Sequence, residues 1–423
     1  MKRKSDNILQ ASFPLFSASF FAQGINFLIL FILPFFYSTQ TIGQFFVFSA
    51  LGLLIGPLVS FRSFNAILIS DSKNLAEFNL GISIVLGGVT SFLFGGLLYF
   101  LSLFSILDIG EKIGAGYLLP VFVFLMSLFI SFENFLNFQK RYICIGYAKL
   151  IKSFITLVLT LLFGVFAPSV FSIVIAFLFG QLSAVVYQIN ISRVTWRVIR
   201  FSKRKLNFFI LKYKDILVFN SSLSVVSELN SHLPTVLLSA FYGDSVVAFY
   251  GMAQRIFSTP VSVLGNSIAT VFGIQTVEYY NTLQHISKYF FSTIFKVSII
   301  AIPFGVVSFL LAPLFFDSFF GEEWRDAGII SRIILPLIIV QNILMPVTIL
   351  YTVLHFQKRV FGFYLISFFV RIVLLFILPY LLFDIDLFFL LAIFVVSGII
   401  HYILYFKEFV EQIRSYESGL SSF

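Results

Sequence analysis

The sequence predicts an all-α integral membrane protein in which twelve transmembrane helices form two six-helix lobes. Three observations support this fold class: the apolar composition, the length of the apolar runs, and the alternation of charge between them. Of 423 residues, 59% are apolar and 11% are charged, and the mean hydropathy is +1.01. These values lie outside the range of soluble globular domains and are typical of multi-span membrane proteins.

The apolar runs have the length that membrane crossing requires. A helix rises ~1.5 Å per residue, so about 20 apolar residues cross ~30 Å of hydrocarbon. Proline inside several runs predicts kinks, which neighbouring helices accommodate in a membrane. The predicted spans are 11–36, 42–69, 78–104, 114–138, 149–167, 169–191, 216–241, 246–274, 289–316, 328–353, 360–383 and 386–406.

The basic residues between the spans alternate from one side to the other. Twenty-one Lys and Arg fall in alternate segments that begin with the N-terminal "MKRK", whereas the segments between them hold only Lys112 and Arg325. Because basic loops stay in the cytoplasm, this pattern predicts twelve spans with both termini cytoplasmic. The "MKRK" run is interpreted as the start of a retained span rather than of a cleaved signal peptide.

Two related stretches divide the chain into halves. "YSTQTIGQFFVFSALGLLIGPLVSF" and "YGDSVVAFYGMAQRIFSTPVSVLG" share a Tyr, a polar turn, a small residue, an aromatic pair and a later Pro. They predict lobes at 1–191 and 216–423, the second with a short cytoplasmic tail, related by a pseudo-two-fold axis along the membrane normal. Such a fold places a site near the midplane.

A basic cytoplasmic linker at 192–215 joins the predicted lobes. It mixes Lys and Arg with Trp196, Phe201, Phe208 and Phe209. Two interpretations stay open: a tether that obeys the charge rule, or a helix in the anionic inner-leaflet interface that grips a lipid phosphate.

Several kinds of chemistry find no support in the sequence. One Cys and four scattered His predict neither a disulfide framework nor a metal site, and no phosphate-binding Gly-rich loop of the Walker type is present. We therefore predict a non-enzyme without cofactors and without nucleic acid partners. A polysaccharide polymerase would be expected to carry a large outer loop. The longest outer segment, "DSFFGEEWRDAG", is short, which counts against a polymerase.

Charges inside the spans are the candidate functional residues, because embedded charges usually face a watery cavity or each other. The cations outnumber the carboxylates, which favours an anionic ligand held by charge-assisted hydrogen bonds. The embedded cations are Arg62, Arg255, Lys296, Arg332 and Arg371, and the embedded carboxylates are Glu133 and Glu228.

Depth separates these candidates. Arg255 and Arg371 fall near the midplane and are the main predicted substrate-binding residues, although a buried ion pair or a carbonyl-capping role is the alternative for each. Arg62 and Lys296 fall in the inner third, where they either bind substrate or snorkel to the headgroups. Arg332, near the outer face, is interpreted as a snorkelling anchor.

The two carboxylates have different predicted roles. Glu228 either pairs with Arg255 or accepts the proton or sodium ion that couples transport to a gradient. Glu133 lies near the inner surface, where it is interpreted as a gate or interface salt bridge.

The stretch "LPTVLLSAFYGDSVVAFYGMAQRIFSTPVSVLGNSIATVFGIQTVEYY", with "YSTQTIGQFFVF" and "FQKRYICIGYAKLIKSFITLVLT", resembles the polysaccharide-transport branch of the MOP superfamily. These Wzx-like flippases of O-antigen and other lipid-linked oligosaccharides share their fold with MATE transporters. The resemblance implies transport of undecaprenyl-diphosphate-linked sugars from the inner to the outer leaflet of the bacterial cytoplasmic membrane, beside polysaccharide-assembly proteins such as a polymerase. A MATE-type ion-coupled exporter and a membrane polymerase are the alternatives.

Overall fold

The computed structural model is built from long helices, and it describes residues 2–56, 59–103, 114–194, 203–215, 217, 221–382 and 385–420. Residues 195–202, which include Trp196 and Phe201 of the predicted linker, and Lys112 lie outside the described residues. By its internal contacts the chain forms an N-terminal unit, Met1–Val236, and a C-terminal unit, Leu237–Phe423. The predicted lobe and linker boundaries stay a prediction.

Helices of the N-terminal unit follow the apolar runs closely. They are α1 (Lys2–Phe36), α2 (Thr39–Ile55), α3 (Asn65–Leu68), α4 (Lys73–Leu103), α5 (Leu119–Phe138), α6 (Tyr142–Phe166), α7 (Val170–Ser192), α8 (Lys203–Asp215) and α9 (Ser221–Tyr242). The last of these continues into the C-terminal unit.

Within the described residues, the C-terminal unit contains seven further α-helices. They are α10 (Asp244–Asn281), α11 (Ser287–Phe320), α12 (Arg325–Leu344), α13 (Leu350–Val353), α14 (Gln357–Ile372), α15 (Leu378–Leu382) and α16 (Leu387–Leu420). A π-helical turn, Val373–Ile377, joins α14 to α15.

The integral membrane fold class is confirmed. Within the described residues, nine helices are long and apolar enough to cross a membrane, and a tenth candidate is the pair of helices Thr39–Ile55 and Val59–Leu68. The predicted seventh and eighth spans are also helical, as α9 and α10, which carry Glu228 and Arg255.

The predicted second span is broken rather than continuous. Its two helical parts bend by 52°, and Ser60, Phe61 and Arg62 all have left-handed backbone angles, with φ of 66°, 47° and 49°. Residues other than glycine rarely adopt this conformation, which crowds Cβ against the backbone. The break therefore places Arg62 in an irregular segment instead of on a regular helix.

Close helix crossings hold each unit together. A Cβ added at Gly180 of α7 would lie 2.8 Å from the Lys152 carbonyl oxygen of α6, and one added at Gly328 of α12 would lie 2.9 Å from the Pro313 nitrogen of α11. Helices in lipid associate through packing rather than through the hydrophobic effect, so small residues at crossings permit the required approach. Close helix approach at a glycine therefore occurs in both units.

Candidate functional site

Arg371 is enclosed by aromatic side chains in the C-terminal unit. Its side chain is 6% exposed, and its Cζ atom lies 5.1 Å from the centroid of the Phe394 ring. It also interacts electrostatically with Tyr402, Tyr250 and Tyr364. The negative face of an aromatic ring attracts a guanidinium, so these rings stabilise the buried charge.

A ring cluster extends this environment. His401 stacks on Tyr405 with centroids 6.1 Å apart and an interplanar angle of 15°, and it contacts Tyr364 at 6.0 Å. The Tyr402 side chain is hydrogen-bonded to Gln341. We call Arg371, Tyr250, Tyr364, His401, Tyr402 and Tyr405 the arginine–tyrosine cluster.

The backbone beside Arg371 is also unusual. Arg371 lies in the last turn of α14, immediately before the π-helical turn Val373–Ile377. Such turns are rare and occur frequently at functional sites, because the extra residue re-aims side chains on the helix. The cluster therefore joins a buried cation to a local departure from α-helical geometry.

Arg255 lies on the helix that supplies Tyr250 to this cluster. Its side chain is half-buried, and the Thr259 hydroxyl donates a hydrogen bond to the Arg255 carbonyl oxygen at 2.6 Å. Arg255 and Tyr250 are five residues apart on α10, which is about 7.5 Å of rise. Of the predicted site residues, Arg255 and Arg371 therefore both lie in the C-terminal unit.

Arg332 has a structural role that differs from the predicted snorkelling. Its Nε and Nη2 atoms donate hydrogen bonds to the carbonyl oxygens of Phe309 at 2.9 Å and Leu310 at 3.1 Å. Pro313 in α11 has no N–H, so the carbonyl group of Phe309, four residues earlier, loses its helical partner. Arg332 replaces that missing donor from the adjacent helix.

Lys296 and Arg62 occupy different environments. Lys296 is exposed on α11 beside the exposed Phe295 and Ile299, a position that suits a side chain reaching along apolar surface. Arg62 is half-buried at the break of the second span. Substrate binding by either residue stays a prediction.

The two embedded carboxylates have basic neighbours. Glu133 Oε1 lies 2.7 Å from Lys149 Nζ in an ion pair between α5 and α6. Glu228 Oε2 lies 3.3 Å from His232 Nε2, one turn later on α9. The His232 contact was not predicted, although its i, i+4 spacing is visible in the sequence, and the pairing of Glu228 with Arg255 or an ion stays a prediction.

The arginine–tyrosine cluster was missed by sequence reasoning apart from Arg371 itself. Tyr364 and Arg371 are seven residues apart, and His401, Tyr402 and Tyr405 fall within one helical turn, so each set recurs on one helix side. The signal available in the sequence was the recurrence of Tyr and His at helical spacing inside two apolar runs.

Comparison with solved structures shows that this chain shares its fold with MurJ and MATE structures. A lipid II flippase MurJ structure in an inward closed conformation has a TM-score of 0.75 at 15% identity, over 96% of this chain and 90% of the other. An inward-facing multidrug resistance MATE transporter has a TM-score of 0.62 at 14% identity, over 96% and 95% of the two chains. A MOP superfamily transporter from Pyrococcus furiosus, described as having a binding pocket of reverse polarity, gives 0.59 at 15%, over 97% and 96%.

Family assignment follows from the sequence of the same chain. A family described as polysaccharide biosynthesis protein matches residues 82–329, and the chain belongs to that family. The predicted membership of the Wzx-like polysaccharide-transport branch of the MOP superfamily is thereby confirmed. No match is found among curated proteins.

Proposed function

We propose that this protein flips undecaprenyl-diphosphate-linked oligosaccharide, of the O-antigen or capsule type, from the inner to the outer leaflet of the bacterial cytoplasmic membrane. Family membership supports flippase transport of a lipid-linked substrate. The anionic substrate class and the direction of transport are our proposal. Transport proceeds by alternating access, with both termini cytoplasmic, and the chain itself performs no covalent chemistry.

One observation carries the choice of an anionic substrate. Residues 246–274, 289–316, 328–353 and 360–383 contain four cations and not one Asp or Glu. A charge in hydrocarbon costs ~2.5–3.5 kcal/mol even on the permissive insertion scale, and embedded charges commonly mark substrate pathways, so this excess of cations over Asp and Glu favours an anionic substrate. The structure removes Arg332 from this set, because it caps helix carbonyl groups. Arg255, Lys296 and Arg371 remain.

The residues have distinct proposed roles. Arg255, half-buried on α10, contacts the diphosphate or acidic sugars directly, because the planar guanidinium fits phosphate and carboxylate oxygens. Arg371 adds positive potential from within the arginine–tyrosine cluster and contacts the substrate when that cluster opens. Arg62 and Lys296 attract the substrate at the inner third, and Glu228 or Glu133 takes part in coupling or gating.

The proposal is tested by a flipping assay in proteoliposomes with a fluorescent lipid-linked oligosaccharide. Arg255→Gln and Arg371→Gln should each slow flipping at least tenfold, since a lost charge-assisted hydrogen bond weakens binding by about 1.5–3 kcal/mol. Arg325→Gln, which removes an exposed cation outside the predicted spans, is the matched control and should flip normally.

Two results would contradict the proposal. Unchanged flipping by the Arg255→Gln, Arg371→Gln double variant would remove these arginines from substrate recognition. Transport of cationic dyes by the wild-type protein, with no flipping of the lipid-linked sugar, would favour the MATE-type exporter instead.

A further inference from the structure

Helix α8 is fixed to the N-terminal unit by one side. Phe209 and Tyr213, 2% and 1% exposed, pack with Ala66 and Ile82 in one apolar cluster. The Asn79 Nδ2 atom donates a hydrogen bond to the Tyr213 hydroxyl at 3.2 Å. Two buried rings and a buried hydrogen bond fix the rotation of the helix about its own axis, which a free tether would not need.

An ion pair holds the same helix to the segment between α3 and α4. Lys212 Nζ lies 2.7 Å from Asp71 Oδ2. The hydrogen bond from Lys212 lowers the pKa of the Asp71 carboxyl group, and the hydrogen bond to Asp71 raises the pKa of the Lys212 ammonium. Both groups are therefore charged over a wide pH range.

The outward side of α8 is apolar at several positions. Leu206, Phe208, Ile210 and Leu211 are 36%, 52%, 53% and 78% exposed. Leu211 is two residues from both Phe209 and Tyr213, and two residues turn a helix by about 200°, so Leu211 points away from the buried side. Because the docked side fixes the rotation, these side chains stay outside the protein.

The same helix is rich in basic residues. Residues 203–215 include Lys203, Arg204, Lys205, Lys212 and Lys214 against one acid, Asp215. A short helix that combines exposed apolar residues with basic residues is typical of a segment lying in the headgroup region of an anionic bilayer. Its charge is complementary to that of the inner leaflet.

We propose that α8 docks on the anionic lipid headgroups of the cytoplasmic leaflet, with Leu211, Phe208 and Ile210 inserted between headgroups and the basic residues against lipid phosphates. This surface lies outside the transport site, and the inference rests only on the proposed cytoplasmic side of the linker. It favours the second of the two earlier interpretations, a helix in the anionic inner-leaflet interface, over a plain tether, and it assigns the contacted phosphates to bulk anionic lipid.

The experiment uses the full chain in vesicles, with an environment-sensitive NBD label at Leu211→Cys in a Cys144→Ser background. In vesicles that contain phosphatidylglycerol, NBD emission should be blue-shifted and quenched by nitroxide lipids of headgroup depth. Both effects should weaken in pure phosphatidylcholine. Replacing Lys203, Arg204 and Lys205 with Gln should lower the ratio of docked to undocked helix about fivefold per cation in the phosphatidylglycerol vesicles.

Lys407→Gln, which removes an exposed cation of α16, is the control and should leave the NBD signal unchanged. Water-like emission in both vesicle types would overturn the proposal in favour of a tether. Equal shifts in both types would overturn the role of anionic lipid. Emission that shifts only when undecaprenyl diphosphate is added to phosphatidylcholine vesicles would assign α8 to the substrate. Because flipping is not the readout, failure here is distinguishable from failure of the proposed function.

Discussion

The Glu133 region of the N-terminal unit and the Arg371 region of the C-terminal unit both place charge within apolar helices, but different neighbours stabilise that charge. In the first, Lys149 lies 2.7 Å from a carboxylate, and Lys152 Nζ lies 5.2 Å from the Phe129 ring centroid. In the second, the guanidinium lies among the Phe394 ring and tyrosines.

The difference shows which region suits an incoming anion. An ammonium already paired with a carboxylate is largely neutralised, so a phosphate gains little by approaching it. Aromatic faces and neutral hydroxyls stabilise a cation without cancelling its charge. Lys149 is therefore a poorer candidate for binding an anion than Arg371, whose neighbours Phe394, Tyr250, Tyr364 and Tyr402 are uncharged, and this contrast underlies the proposed substrate recognition.

The two units should respond alike to a side chain added at a helix crossing, although their embedded charges have different surroundings. Gly180→Val in the N-terminal unit and Gly328→Val in the C-terminal unit each force a side chain against the backbone of the adjacent helix. We expect each to lower the free energy of unfolding by about 3 kcal/mol, the upper part of the range for overpacking. Thermal unfolding in detergent measures the effect.

Gly96→Ala and Gly362→Ala are the matched controls for the two units, because a Cβ added there has no neighbour within 4 Å. Both should unfold close to the wild-type temperature. A clear loss at only one of the two crossings would show that the units do not share this packing device.

Arg332→Gln separates a structural arginine from the proposed substrate-binding ones. It removes two hydrogen bonds to the Phe309 and Leu310 carbonyl oxygens, which we expect to lower stability by about 1–2 kcal/mol. The protein that remains folded should bind and flip substrate normally. Wild-type stability together with lost transport would move Arg332 into the substrate site.

Lys149→Gln tests the Glu133 region, in which the cation is paired with a carboxylate. It leaves the partly buried Glu133 without its ion-pair partner, which should cost about 1 kcal/mol because both side chains retain some exposure. The Glu133→Gln, Lys149→Gln double variant should recover most of that stability. A larger effect on substrate affinity than on unfolding would contradict a purely structural pair.

The smallest expected effect is the pH dependence of α8 docking. The lowered pKa of Asp71 means that the ion pair contributes above the unfolded pKa of about 4 and is lost as the pH falls through the folded value. The raised pKa of Lys212 means that the contribution is present below about 10.4 and is lost above the folded value. Limited proteolysis at 203–215 should be constant between these limits.

Asp71→Asn is the control for this pH effect, since the amide cannot ionise. Its proteolysis rate should be moderately higher and should not rise further in acid. An acid response identical to that of the wild-type protein would show that other groups control the docking.

The helices were largely predictable, and the site only in part. Hydropathy located the apolar helical segments because apolar run length is a local property, yet α10 extends from Asp244 to Asn281, well beyond the predicted 246–274. Proline in this run predicted a kink, but the left-handed backbone at Ser60–Arg62 was not predicted, because it depends on tertiary packing rather than on residue type. Its neighbours Pro57 and Leu58 lie outside the described residues.

The partners of the embedded charges depended on helix register. Tyr364 meets His401 only because α14 packs on α16, and Arg332 reaches the carbonyl group freed by Pro313 only because of how α12 lies on α11. Sequence spacing gives the side of a helix, but not which side of another helix faces it. Their depth in the predicted spans therefore singled out Arg255 and Arg371. The hydrogen bonds of Arg332 to helix carbonyl groups were needed to distinguish it from them.

The most direct measurement is the affinity of the purified protein in nanodiscs for undecaprenyl-diphosphate-linked oligosaccharide. Arg255→Gln and Arg371→Gln should each weaken binding about tenfold or more, as expected for a lost charge-assisted hydrogen bond. Lys149→Gln, from the paired region, should bind like the wild-type protein. Wild-type affinity in the Arg255→Gln, Arg371→Gln double variant, or an equal loss in Lys149→Gln, would contradict the account.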